Sequence, residues 1–140
     1  MSSSEGTFFG AIVALDDEND FPDSGDFSTP DFLGSTLLTF PVLSDEVFGD
    51  LSLSLDPGWY ALIFGSGLFD TTGGGGAVRN GTDLGSPTYI GFQPGNPGWR
   101  NTTRSGSNER FFVNGQIVPE AASEVLASIA SLLLLLRNRA

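Results

Sequence analysis

The apolar positions of this chain fall into short runs divided by polar, turn-forming stretches. Thr7-Phe8-Phe9-Gly10-Ala11-Ile12-Val13-Ala14-Leu15 is rich in β-formers and free of charge, which predicts a buried strand. Leu37-Leu38-Thr39-Phe40 predicts a short strand stopped by Pro41. In Asp50-Leu51-Ser52-Leu53-Ser54-Leu55 the leucines face one way and the serines the other, the period of a half-buried strand. Asp56-Pro57-Gly58 supplies a turn, because Pro presets φ and Gly accepts a positive one. Trp59-Tyr60-Ala61-Leu62-Ile63-Phe64 is apolar on both faces, which predicts a central strand, with Trp59 in the core. Residues 50–55 and 59–64 therefore form the predicted hairpin. Further strands are expected over residues 88–92, from Trp99 after the turn at residues 95–98, and over residues 110–118 with a bulge at Gly115. Residues 65–85 are glycine-rich and irregular, with Gly73 to Gly76 expected as a flexible surface loop. Short strands at turn-separated intervals, without internal repeats, predict a mainly β fold, an antiparallel sandwich or jelly roll.

After Val118 the pattern changes. Pro119 and Glu120 lead into residues 121–136, which contain Ala121, Val125, Leu126, Ile129 and the run Leu132, Leu133, Leu134, Leu135, Leu136. Ala and Leu favour helix, Pro119 suits a first turn, and Glu120 and Glu124 suit the N-terminal end of the dipole. One C-terminal hydrophobic helix is expected. Sixteen residues at about 1.5 Å each reach about 24 Å, short of a hydrocarbon core of about 30 Å. Arg137 and Arg139 can snorkel and hold the end at the cytoplasmic side. A packing helix is the alternative, but the five leucines are apolar around the whole circumference rather than striped. The organisation expected is thus a β domain over residues 1–118 and a membrane tail over residues 119–140.

Charge sharpens this picture. The 140 residues carry a net charge of −11, with 17 acidic side chains against six basic ones, all arginine. Every arginine lies at or after Arg79, while thirteen of the acidic residues lie at or before Asp70. An acidic body repels phosphate backbones, so nucleic acid is not an expected partner. With no Cys and no His, disulfides, thiol nucleophiles, histidine triads and His- or Cys-ligated metals are all excluded.

Little catalytic chemistry remains. Asp16, Glu18 and Asp20 alternate in a long acidic loop over residues 16–31, a spacing that suits calcium. Phe21 stands where an EF-hand needs Gly, and Phe27 where it needs Glu, so a solvated loop is the favoured reading. Gly73 to Gly76 lacks the Lys-Ser/Thr of a phosphate loop. Asn80-Gly81-Thr82 and Asn101-Thr102-Thr103 match the glycosylation sequon. Trp99, beside Arg100 in a turn-rich stretch, is the candidate surface aromatic for a ligand such as a sugar. No two carboxylates are fixed by the sequence at a glycosidase separation, so a hydrolase is the least favoured class.

The order Val118-Pro119-Glu120, apolar segment, then Arg137-Asn138-Arg139 resembles a PEP-CTERM sorting signal. Ala121 stands where that family has its second Pro. Residues 50–69, 81–89 and 110–113 are similar to bacterial extracellular domains of the choice-of-anchor kind, a likeness covering roughly residues 7–118. The resemblance implies an exported, non-catalytic cell-envelope, surface or extracellular-matrix protein without a cofactor. It also implies the membrane and an exosortase-type transpeptidase acting near Pro119 and Glu120 as partners. The alternative expectation is a carbohydrate-binding module for extracellular polysaccharide, with calcium a candidate stabiliser. Met1-Ser2-Ser3-Ser4-Glu5 has neither the basic nor the apolar region of an export signal. The expectation is a truncated start, leaving an unpaired edge near Thr7 to Leu15.

Overall fold

The structure is a computed structural model, which describes residues 5–43, 45–75, 88–93, 98–102, 111 and 113–116. The chain divides into two units, Met1–Arg110 and Phe111–Ala140. Among the described residues of the first unit, five strands form two antiparallel sheets: β1 (Thr7–Leu15), β2 (Phe32–Thr39) and β3 (Trp59–Gly65) in the order β2-β1-β3, and β4 (Ile90–Gln93) with β5 (Gly98–Asn101). The described residues are mainly β and contain no helix, and hence none long and apolar enough to cross a membrane. In the second unit, Phe111 and residues 113–116 belong to no strand, so the strand expected over 110–118 is absent from its described part.

β1 is the centre of the larger sheet. Its uncharged, β-branched and aromatic sequence can be buried on both faces, and both its edges are paired. β2 runs against one edge from Thr7↔Thr39 to Val13↔Phe32, with a register shift between Ile12 and Val13. β3 runs against the other from Phe9↔Gly65 to Leu15↔Trp59. β1 ends where the run of carboxylates begins at Asp16. Beyond β3 the chain turns back to the start of β1: Gly73 N–H donates to the Thr7 carbonyl (2.7 Å), and Glu5 and Gly74 exchange backbone bonds of 3.1 and 3.0 Å. Gly73 is required there, since a Cβ would lie 2.5 Å from the Thr7 carbonyl oxygen.

The two faces of β1 are covered differently. Phe9, Ala11 and Val13 point to one side, where Ala61, Ile63 and Phe27 join them in a buried cluster. Leu15, Phe32, Leu68, Ile90 and Trp99 pack around it, so the β4–β5 hairpin leans on this face. On the other side Phe8 stacks on Phe40 (4.3 Å between centroids) and lies 6.3 Å from Phe64. The segment after β2 crosses here. Leu51 and Leu53 both approach Gly34, and Gly49 sits against Leu38 and Thr36.

Several expectations are corrected. Residues 50–55 are not a strand, and the hairpin with 59–64 does not form, because β3 takes β1 as its partner. The alternation still orients the leucines, with Leu51 and Leu53 turned to the sheet. Among the described residues β3 is an edge of its three-stranded sheet, and Trp59 at its end is 53% exposed rather than core. β1 carries no unpaired edge. β2 starts five residues before the expected Leu37, because Gly34-Ser35-Thr36 interrupts the apolar pattern without interrupting the ladder. Gly73 and Gly74 are held by backbone bonds instead of forming a free loop, while Gly76 lies outside the described residues.

Candidate functional site

The described feature with the most chemistry is an aromatic layer that ends in a recess. Phe9 meets Phe27 and Phe69 edge to face at 5.8 and 5.1 Å. Phe27, Phe32 and Phe69 stack on one another at 5.5–6.1 Å. Such offset and T-shaped pairs contribute about 0.5–1.5 kcal/mol each beyond their buried area. Two of these rings require unusual backbone. Phe27 has φ of 57° and Phe69 of 52°, followed by Asp70 at 59°. Positive φ is disfavoured for a bulky side chain, and packing must hold it. At Phe69 and Asp70 the support is a tight turn. Thr71 N–H and Oγ1–H both donate to the Leu68 carbonyl (3.0 and 2.6 Å), and Thr71 is buried. Two successive positive φ values make this a type I′ turn, usually the place of Asn-Gly.

Trp99 extends the layer outward. Its ring lies 6.1 Å from Phe27 and 5.2 Å from Phe92, its cross-strand neighbour. Its indole N–H donates to the Ser24 carbonyl (3.0 Å), which ties β5 to the acidic loop. Between residues 21–25 of that loop and Phe92, Gly98 and Trp99 lies an open recess of about 280 Å³. Gly25 makes this approach possible: a Cβ there would collide with the Phe92 ring. Phe92 remains 42% exposed.

Hydrogen bonds fix the loop side. Asp23 N–H donates to Asp31 Oδ2 (3.0 Å), and Ser24 Oγ bonds Thr29 Oγ1 (2.9 Å). Ser28 donates to Asp26 Oδ1 from both its hydroxyl (2.7 Å) and its N–H (3.1 Å), which holds the Asp26 carboxyl below the ordinary aspartate value. At Asp31 burial pushes the carboxyl up, but hydrogen bonds from the Thr29 side chain and the Asp23 N–H outweigh it, and the net direction is down. Asp26 and Asp31 are therefore ionised at neutral pH and help to hold the loop in shape.

The residues singled out in the sequence fall in different places. Asp16, Glu18 and Asp20 do not converge. The Asp20 carboxylate accepts the Asp16 N–H (2.9 Å), and among the described residues no three acidic side chains gather as a cation site. Trp99 is half-buried in the aromatic layer, whereas Trp59 is the more exposed of the two. Val118, Pro119, Glu120, the apolar residues 121–136, Arg137 and Arg139 lie outside the described residues, as does Asn80. Sequence reasoning missed Phe21, Asp23, Gly25 and Phe92. Nothing local marks them, because the Ser24–Trp99 bond joins positions 75 residues apart. No protein-family model, curated protein or solved structure matches this chain.

Proposed function

We propose that this chain is a non-catalytic exported protein of the cell surface or extracellular matrix, retained at the membrane through residues 119–140. An exosortase-type transpeptidase would process it near Pro119 and Glu120. The observation that carries the reading is the order of the C-terminal sequence: Val118-Pro119-Glu120, sixteen largely apolar residues, then Arg137-Asn138-Arg139. A helix over residues 121–136 would reach about 24 Å, short of a core of about 30 Å, and snorkelling by Arg137 and Arg139 would offset part of the shortfall. Two antiparallel sheets with ring contacts between Trp99 and Phe27 support a sandwich or jelly roll as the domain that the tail anchors. A carbohydrate-binding role has less support, because Trp99 is half-buried and its indole N–H is engaged by Ser24.

The test is mass spectrometry of the native C-terminus in envelope and secreted fractions. A mature chain ending near Pro119-Glu120, without the leucines, is the expected result. An intact chain through Ala140 on a soluble cytoplasmic protein overturns the reading.

A further inference from the structure

Among the described residues, the lining of the recess beside Trp99 includes three aromatic residues, Phe21, Phe92 and Trp99, and one acidic residue, the exposed Asp23. Two donors beside it are engaged elsewhere: Asp23 N–H by Asp31, the Trp99 indole N–H by Ser24. The Ser24 hydroxyl is engaged with Thr29. What the lining offers a guest is aromatic side chains, whose ring faces carry a negative quadrupole, and the acidic Asp23. Asp16, Asp17, Glu18, Asp20, Asp26 and Asp31 belong to the same loop, and Arg100, the one basic residue among those described, follows Trp99 in β5 and by strand alternation faces away from it. An anion is repelled here, and a polyol would find acceptors with few matching donors.

We propose that this recess binds an alkylammonium group, such as a quaternary or primary amine headgroup, seated against Phe92 and Trp99 and neutralised by Asp23. About 280 Å³ admits a headgroup of four or five heavy atoms with room for its stem to leave toward solvent. Gly25 belongs to the site as the position that lets Phe92 close against the loop. The site is shallow, so its affinity is modest and its selectivity lies in charge rather than shape. The inference rests on the β domain alone and is independent of the export reading.

The experiment uses the full chain with Trp59→Phe, which leaves Trp99 as the sole tryptophan. Its emission is titrated with tetramethylammonium chloride, with sodium chloride at matched ionic strength, with uncharged neopentyl alcohol and with methyl glucoside. Tetramethylammonium alone should give a saturable change. Asp23→Asn should weaken it about three- to fivefold, as loss of one exposed carboxylate near a cation–π contact predicts. Asp23 is exposed and its side chain bonds no other described residue, so this variant keeps the fold, which dispersed amide resonances verify. Superimposed curves for tetramethylammonium and sodium overturn the proposal, and so does unchanged affinity in Asp23→Asn. Equal binding of neopentyl alcohol would make the recess a merely apolar site. Saturable binding of methyl glucoside alone would make it a saccharide site.

Discussion

The two faces of β1 start from the same kind of sequence and end differently. On one face Phe9, Ala11 and Val13 are sealed by rings drawn from the acidic loop, the turn after β3 and the β4–β5 hairpin. On the other, Phe8 and its neighbours are covered by Phe40, Phe64 and a segment without ladder bonds, and Phe64, Leu53 and Leu55 stay partly in water. The first face is built from contacts distant in sequence, the second from a lightly laid cover. Apolarity along a strand thus sets what can be buried, while the partners that arrive set what is buried.

The comparison can be broken at four points. Phe9→Ala removes the ring that meets both Phe27 and Phe69 and should cost about 3–5 kcal/mol in urea denaturation, much of a domain's usual margin. A loss under 1 kcal/mol would mean the aromatic layer does not hold the sheet. Gly25→Ala should cost about 1–3 kcal/mol, because the new methyl displaces the Phe92 ring, and its melting temperature should fall accordingly. Leu53→Ser, on the loosely covered face, should cost about 1–2 kcal/mol, since that side chain is already 37% exposed. A larger loss would erase the distinction between the faces.

The smallest effect concerns the loop. The Asp31 and Asp26 carboxyls titrate below their ordinary value of 3.8 in the folded chain. A depressed folded pKa gives stability that is present above the unfolded value and is lost as pH falls through the folded one. Asp31→Asn should therefore lie below the parent in melting temperature at pH 6. The gap should close as pH drops below 3.8. A gap that widens in acid would contradict the assignment.

Elements whose identity depends on local composition were legible in the sequence. The uncharged run at residues 7–15 is β1 to the residue, and the apolar run from Trp59 is β3 with one residue added. Trp99 falls in a short strand as its turn-rich surroundings suggest, and the acidic loop spans the chain between β1 and β2. Pairing was not legible. Alternating leucines and Asp-Pro-Gly are the local marks of a hairpin, yet β1 offers β3 a longer uncharged ladder. The burial of the two tryptophans differs from expectation for a related reason. Trp59 sits at the end of an edge strand, while the distant Phe27 and Ser24 draw Trp99 inward. Phe27 at positive φ could not be foreseen either, because no turn residue announces it. The recess depends on that same long-range closure, so only its tryptophan stood out beforehand.

The placement of β1 also matters while the chain is being made. It is made before both of its mates, and its pairing is complete only once β3 has followed a loop, a strand and a long crossing segment. At synthesis rates of about 5–20 residues per second, a bare apolar strand waits on the order of seconds for that mate. Through this interval the carboxylates that begin at Asp16 travel directly behind it. Charge flanking an apolar strand sets nascent chains apart by repulsion, as gatekeeper residues do. Neutralising that loop should therefore show first in the yield of soluble protein, before any change in the finished fold.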